Sequence, residues 1–325
     1  MDTEYELDRS DPEAAIAAAA KRCSNWGRWG PDDVRGTMNF LDESKRVGAA
    51  SLITRGVSFS LAQSFDMDGP QKGWRRRTNP VHTMLDTGTD AVAGVQGFPH
   101  GIGGADDVVS MPLQCSTQWD GLGHIFDHGK AWNGRPADQV VTSLGDGVTG
   151  IETVSDVIVG RGVLLDVGRH IGDGELPDGF PITTEHLVST AMAQGSSAKV
   201  ERGDIVLVRT GQLARTRREG WGDYAGGAAP GLSFTTADWL HQSEIAAIAT
   251  DTWGFEVRPN EFDDAFQPLH QVAIPNIGLF LGEMWDLDAL AEDCARDGVY
   301  EFFLTAAPIP VTGAVGSPVN PIAVK

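Results

Sequence analysis

The sequence predicts an α/β protein, and two observations carry that expectation. Short, largely apolar runs, Val163-Leu-Leu-Asp-Val, Ile205-Val-Leu-Val-Arg and Ile245-Ala-Ala-Ile-Ala-Thr-Asp251, read as buried strands bounded by glycine and polar residues. They alternate with helical stretches that open on Thr183-Thr184 and Thr235-Thr236, and strand–helix alternation is the pattern of α/β architecture. The runs end in Asp166-Val-Gly-Arg-His170, Arg209-Thr-Gly-Gln212 and Asp251-Thr-Trp253. Polar strand ends are where open α/β sheets place ligands.

The 325 residues suit one large domain with an N-terminal extension. Asp11-Pro12-Glu13 before a run of alanines has the cap and first-turn proline of a helix. That run, Ala14 to Ala20, has no basic segment before it, so it does not read as a signal peptide. Residues 24–40, rich in Trp, Gly and charge, read as an irregular arm whose Trp26 and Trp29 pack on the core. We therefore divide the chain into a helix and arm over 1–40 and a main domain over 41–325. Leu41 to Thr54 has helical spacing, and Val57-Ser-Phe-Ser-Leu-Ala alternates as a strand does.

Residues 66–107 show few periodic signals, and a loop this long in a compact domain is usually functional. Trp74, Arg77, Asn79, His82 and His100 are its candidate pocket residues, although a lone loop histidine is more often solvated. Toward the C-terminus, His270 lies on a short apolar helix-like segment and Glu283 closes an apolar run. A carboxylate in that place needs a cation or several donors. Glu301 to Val311 reads as a final strand, and Gly316 to Val324 as turns and a short edge strand.

The chemistry concentrates in Gln114-Cys-Ser-Thr-Gln118-Trp-Asp120-Gly-Leu-Gly-His124-Ile-Phe-Asp-His128, which follows the apolar run Val108 to Leu113. Loops after strands are where scaffolds carry function. In a strand Gln118 and Asp120 face the same side, and Gln114 joins them if the strand is regular. Asp120, His124, His128, His270 and Glu283 supply the oxygen and nitrogen donors that suit Zn²⁺ or Mn²⁺. Cys115 could act as a nucleophile, but a buried structural thiol is the commoner role.

Other chemistries lack support. No GxGxxG follows a strand, and neither a Gly-Lys-Ser/Thr phosphate loop nor a GxSxG elbow is present. A net charge of −20 argues against nucleic acid and anionic membranes, and Arg75-Arg76-Arg77 is too short to reverse that. No stretch of 18 apolar residues occurs. Three widely spaced cysteines form no disulfide framework, so reduced thiols in the cytoplasm are expected.

The central stretch resembles the cyclase family of metal-dependent hydrolases, which includes kynurenine formamidase and isatin hydrolase. The family signature His-x-Gly-Thr-His-x-Asp-x-Pro-x-His falls on Gln114, Ser116, Thr117, Gln118, Asp120, Leu122 and His124. His270 and Glu283 match a later His and Glu, Ala249-Thr-Asp-Thr matches a Gly-Ile-Asp-Thr element, and Ala307-Pro-Ile-Pro-Val with Gly316-Ser-Pro matches the C-terminus. Both signature histidines that bind metal are glutamines here.

The resemblance implies a swivelling β/β/α-type domain with a mixed sheet and long active-site loops. It implies one divalent ion, Mn²⁺ or Zn²⁺, on Asp120, His270 and Glu283 with help from Gln118. The alternative is a metal-free site in which Asp120 and His124 form an acid–base dyad in a hydrolase, lyase or cyclase. The implied reaction is hydrolysis of a C–N bond in a small amide, formamide or cyclic imide-like ring, or of a lactone, with His124 as general base. A non-catalytic binding protein is the third reading. A small-molecule substrate and a homodimer or homotetramer complete the expectation.

Overall fold

The computed structural model describes residues 7–325; the first six residues of the expected N-terminal segment lie outside them. Nine strands build the main sheet: β1 (Ser58–Ser60), β2 (Gln118–Asp120), β3 (Val159–Asp166), β4 (Ile205–Arg209), β5 (Ala247–Thr250), β6 (Phe280–Glu283), β7 (Glu301–Thr305), β8 (Gly316–Pro318) and β9 (Ile322–Val324). Their spatial order is β1-β9-β7-β3-β4-β5-β6-β2-β8. The expected α/β class is borne out, and the sheet is mixed. β3 to β6 run parallel, whereas β2, β7, β8 and β9 join their neighbours antiparallel. The parallel centre is built from the predicted runs, and their side chains are buried because the sheet is covered on both faces.

The helices follow their caps. Asp11 accepts the Ala14 N–H at the start of Pro12–Arg22, and Asp42 accepts that of Lys45 at the start of Glu43–Ala50. Thr183 caps Thr184–Gln194. Ile16, Ala19 and Ala20 of the first helix reach the same core as the sheet strands, so this helix is packed into the domain. In the arm, Trp29 stands edge-on to Phe40 at 5.2 Å and lies 6.1 Å from Trp132.

Three expectations are corrected. The long loop of residues 66–107 contains regular structure: Val81–Asp86 pairs with Asp106–Ser110 as an antiparallel hairpin, with a helix over Gly88–Ala93 between them. Period-2 patterning failed there because both faces of the hairpin are exposed in this chain. The run Val108 to Leu113 therefore does not deliver the central stretch into the main sheet. Residues 113–117 turn before β2 begins, so Gln114 does not share a face with Gln118 and Asp120. At the C-terminus, β8 is an edge strand but β9 is interior, because β1 covers it.

β2 is short, and its register fixes everything beside it. It lies between β6 and β8, with Gln118 opposite Glu283 and Trp119 opposite Gly282 and Ser317. Alternation sends Gln118 and Asp120 to one face and Trp119 to the other. Trp119 is buried, stands edge-on to Trp285 at 4.8 Å and donates its indole N–H to the Ala306 carbonyl. Trp119 is therefore core packing. Gly282 is required at its position, since a Cβ there would come within 2.4 Å of Ala249 Cβ and 2.7 Å of Trp285 Nε1.

Candidate metal and active site

Asp120, His270 and Glu283 converge, each offering a donor atom within 4.8 Å of the others. β2 supplies Asp120 and β6 supplies Glu283. His270 comes from the short helix Pro268–Val272, which passes into one wide turn at Ala273–Ile277. All three are buried, as is Gln118. The amide nitrogen of Gln118 donates to Asp120 Oδ1 at 3.1 Å and to Glu283 Oε2 at 2.9 Å. Its oxygen, Oε1, is buried and has no hydrogen-bond partner. An orphaned carbonyl oxygen beside two buried carboxylates is a donor set that fits a divalent ion. Asp120, His270, Glu283 and Gln118 are the residues that would hold it.

His270 is set by a residue that sequence reasoning missed. Glu256 Oε1 lies 2.6 Å from His270 Nδ1 and also accepts the His270 backbone N–H at 3.0 Å. Its other oxygen accepts the Leu269 N–H. This leaves Nε2 turned to Glu283 Oε1 at 3.2 Å. Burial disfavours an imidazolium, but the hydrogen bonds and charges of Glu256 and Glu283 overcome it and raise His270 to about 10. The pairing is the carboxylate–histidine support typical of metal ligands. The only sequence signal was position: Glu256 stands 14 residues before His270, outside any motif.

His124 lies in the turn after β2, mostly buried, with Nε2 3.7 Å from Asp120 Oδ1. Burial lowers its proton affinity against the opposing pull of Asp120, so the ring favours the neutral form that a base requires. Burial, with the Glu283 charge, raises the Asp120 pKa. His124 and Asp120 thus meet as the sequence suggested.

Several other candidates lie elsewhere. His82 is exposed on the hairpin and pairs with Asp107 at 2.7 Å. His100 is exposed too, and Asn79 Oδ1 holds the Gln71 N–H within its own loop. His128 is exposed and bonded to Asp127. Burial pushes the Cys115 thiol up to about 11, which removes it as a nucleophile. The polar strand ends hold each other: Arg209 bonds Asp166 at 2.9 Å, and Asp251 accepts from the Thr210 N–H and hydroxyl and from the Gly211 N–H. By contrast Trp74, Arg77 and Trp253 do gather, with Trp74 edge-on to Trp253 at 5.0 Å.

Residues 49–257, more than half of the chain, match the Cyclase family, described as "Putative cyclase". The chain belongs to the cyclase family. A crystal structure described as that of a novel cyclase is 41% identical, with 93% of this chain and 99% of that one covered at a TM-score of 0.85. Isatin hydrolase A from Ralstonia solanacearum shares the cyclase fold at 16% identity, covering 83% of this chain and 92% of its own, with a TM-score of 0.61. A "predicted metal-dependent hydrolase" from Bacillus stearothermophilus does so at 15% identity, covering 83% and 98%, with a TM-score of 0.52. None of the curated proteins compared with the chain matches it. No helix among the described residues is long and apolar enough to cross a membrane.

Proposed function

We propose that this cyclase-family member is a metal-assisted hydrolase that opens a C–N bond in a small amide, formamide or cyclic imide-like ring, or a lactone. The observation that carries the reading is the closed set of Asp120, His270 and Glu283, bridged by the Gln118 amide nitrogen while the Gln118 oxygen stays unpaired, with His124 at 3.7 Å from Asp120. The names of the structural relatives, an isatin hydrolase among them, support it as analogy. A bound Mn²⁺ or Zn²⁺ would lower the pKa of water and polarise the scissile carbonyl.

The chain's own residues do the rest. His124 takes the proton of the attacking water and returns it to the leaving nitrogen, or to the leaving oxygen of a lactone. Asp120 orients the ring of His124 and stabilises its cation while the proton is held. Glu256 keeps the Nδ1 proton of His270, leaving Nε2 as the ligand atom. A homodimer or homotetramer, checked by sedimentation, is part of the same proposal.

A second reading has its own observation. The Gln118 amide already bridges the two carboxylates, at 3.1 and 2.9 Å, and so stabilises them without an ion. Asp120 and His124 would then act as an acid–base dyad.

Elemental analysis of the purified protein and turnover of isatin, formamides and lactones decide between the two. We expect about one Mn²⁺ or Zn²⁺ per chain, and loss of turnover with His124→Ala while the fold survives. Activity that persists after exhaustive chelation, in a protein holding no ion, selects the second reading.

A further inference from the structure

Three arginines gather on an aromatic patch beside the ligand triad. Arg77 is only 8% exposed, and its guanidinium lies 5.4 Å from the ring centre of Trp253. Arg258 stands 5.7 Å from the rings of Trp74 and Phe266 and 6.0 Å from that of Trp253. Arg75 lies 5.9 Å from Trp74 and Phe266. Among the described residues none of the three forms an ion pair, in a chain whose 45 acidic residues outnumber 25 basic ones. Arg258 Nη2 donates to the Gly226 carbonyl, while its Nη1 is buried without a partner.

This arrangement is costly as it stands. A buried guanidinium with unsatisfied donors loses its hydration, and cation–π stacking returns only part of that. Burial pulls the Arg258 pKa down accordingly. Arg209, the other arginine buried as deeply as Arg77 among the described residues, has carboxylate partners in Asp166 and Asp288. Here the guanidinium groups lie against the rings, and Arg258 Nη1 is left without a partner.

The cluster lies near the candidate site. A Cβ built on Gly254 would lie 3.8 Å from Gln267 Nε2 and 4.0 Å from Arg258 Cδ, and Gln267 Nε2 is itself 3.4 Å from His270 Nε2. The positive charge of Arg77 acts on both Asp120 and His124.

We infer that the substrate carries a carboxylate on a flat apolar body, with the carboxylate held by Arg77 and Arg258 and the body laid against Trp74, Trp253 and Phe266. Arginine forks match a carboxylate in a two-point geometry that lysine does not reproduce. The inference rests on the hydrolase reading and names its substrate class. The competing explanation is that the arginines only offset Asp120, Glu256 and Glu283.

Calorimetric binding of indole-2-carboxylate and indole-2-carboxamide to the purified full-length protein separates the two, and it needs no turnover. The carboxylate is expected to bind at least about tenfold more tightly. Arg77→Gln should abolish that preference while leaving carboxamide affinity unchanged, and Arg76→Gln, at an exposed neighbouring position, should preserve it. If Arg77→Gln fails to fold, Arg258→Gln carries the same expectation. Equal affinity for the two probes, binding of neither, or a preference that survives the arginine substitution overturns the inference. The last result would mean that the carboxylate sits on a metal ion. None of these outcomes bears on whether His124→Ala loses turnover, so the two claims fail separately.

Discussion

Glu256 grips His270 twice, by the Nδ1 side at 2.6 Å and by the backbone N–H at 3.0 Å. Ring rotation and backbone position are therefore set by one carboxylate. Glu256→Gln keeps the shape and removes the charge. We expect about 10- to 100-fold weaker ion affinity, read by chelator competition, with little change in melting temperature.

Gln118 stands where the resembled family signature has a histidine. Gln118→His replaces a weak amide donor by an imidazole, a stronger zinc ligand. Zinc affinity should rise by about tenfold or more, measured by the same competition. An unchanged affinity would place the ion away from Gln118.

The core under the site admits no added carbon. Gly282→Ala would drive a methyl into Ala249, Trp285 and Trp119. A loss of about 1–3 kcal/mol in urea unfolding is expected, together with reduced turnover because Glu283 is the next residue.

Acid sensitivity should centre on Asp293. Hydrogen bonds from Arg55 at 2.7 and 3.1 Å, and Lys325 at 3.2 Å, hold its carboxyl down to about 2 despite burial. The folded pKa lies below the ordinary value of about 3.9, so this stabilisation is complete above that value and disappears as pH falls through about 2. Asp293→Asn should flatten the decline of the urea midpoint between pH 4 and 2.

The sequence disclosed those parts whose patterns are local. The apolar runs at 163–167, 205–209 and 245–251 announced β3 to β5, and Asp11 and Thr183 announced their helices. Asp120, His124, His270 and Glu283 were readable because ligand-type residues stood beside glycine turns and at run ends. Glu256 was not, since its role comes from folding the 255–257 segment against a helix that begins at Pro268. The hairpin at 81–110 escaped for the opposite reason: with both faces exposed, no alternation marks it. The stacking of Arg77 on Trp253 joins residues far apart in sequence and is visible only in three dimensions.

The pairing of β2 with β6 has a consequence for when the protein can become active. Gln118 and Glu283 stand 165 residues apart in sequence, and the strand register alone brings them together. A chain emerging from the ribosome therefore exposes Asp120 long before Glu283 has been made, and isolated early segments hold no complete binding centre. On the proposed function, ion capture would belong to the finished fold, and truncated products would be inert bystanders that do not compete for scarce metal.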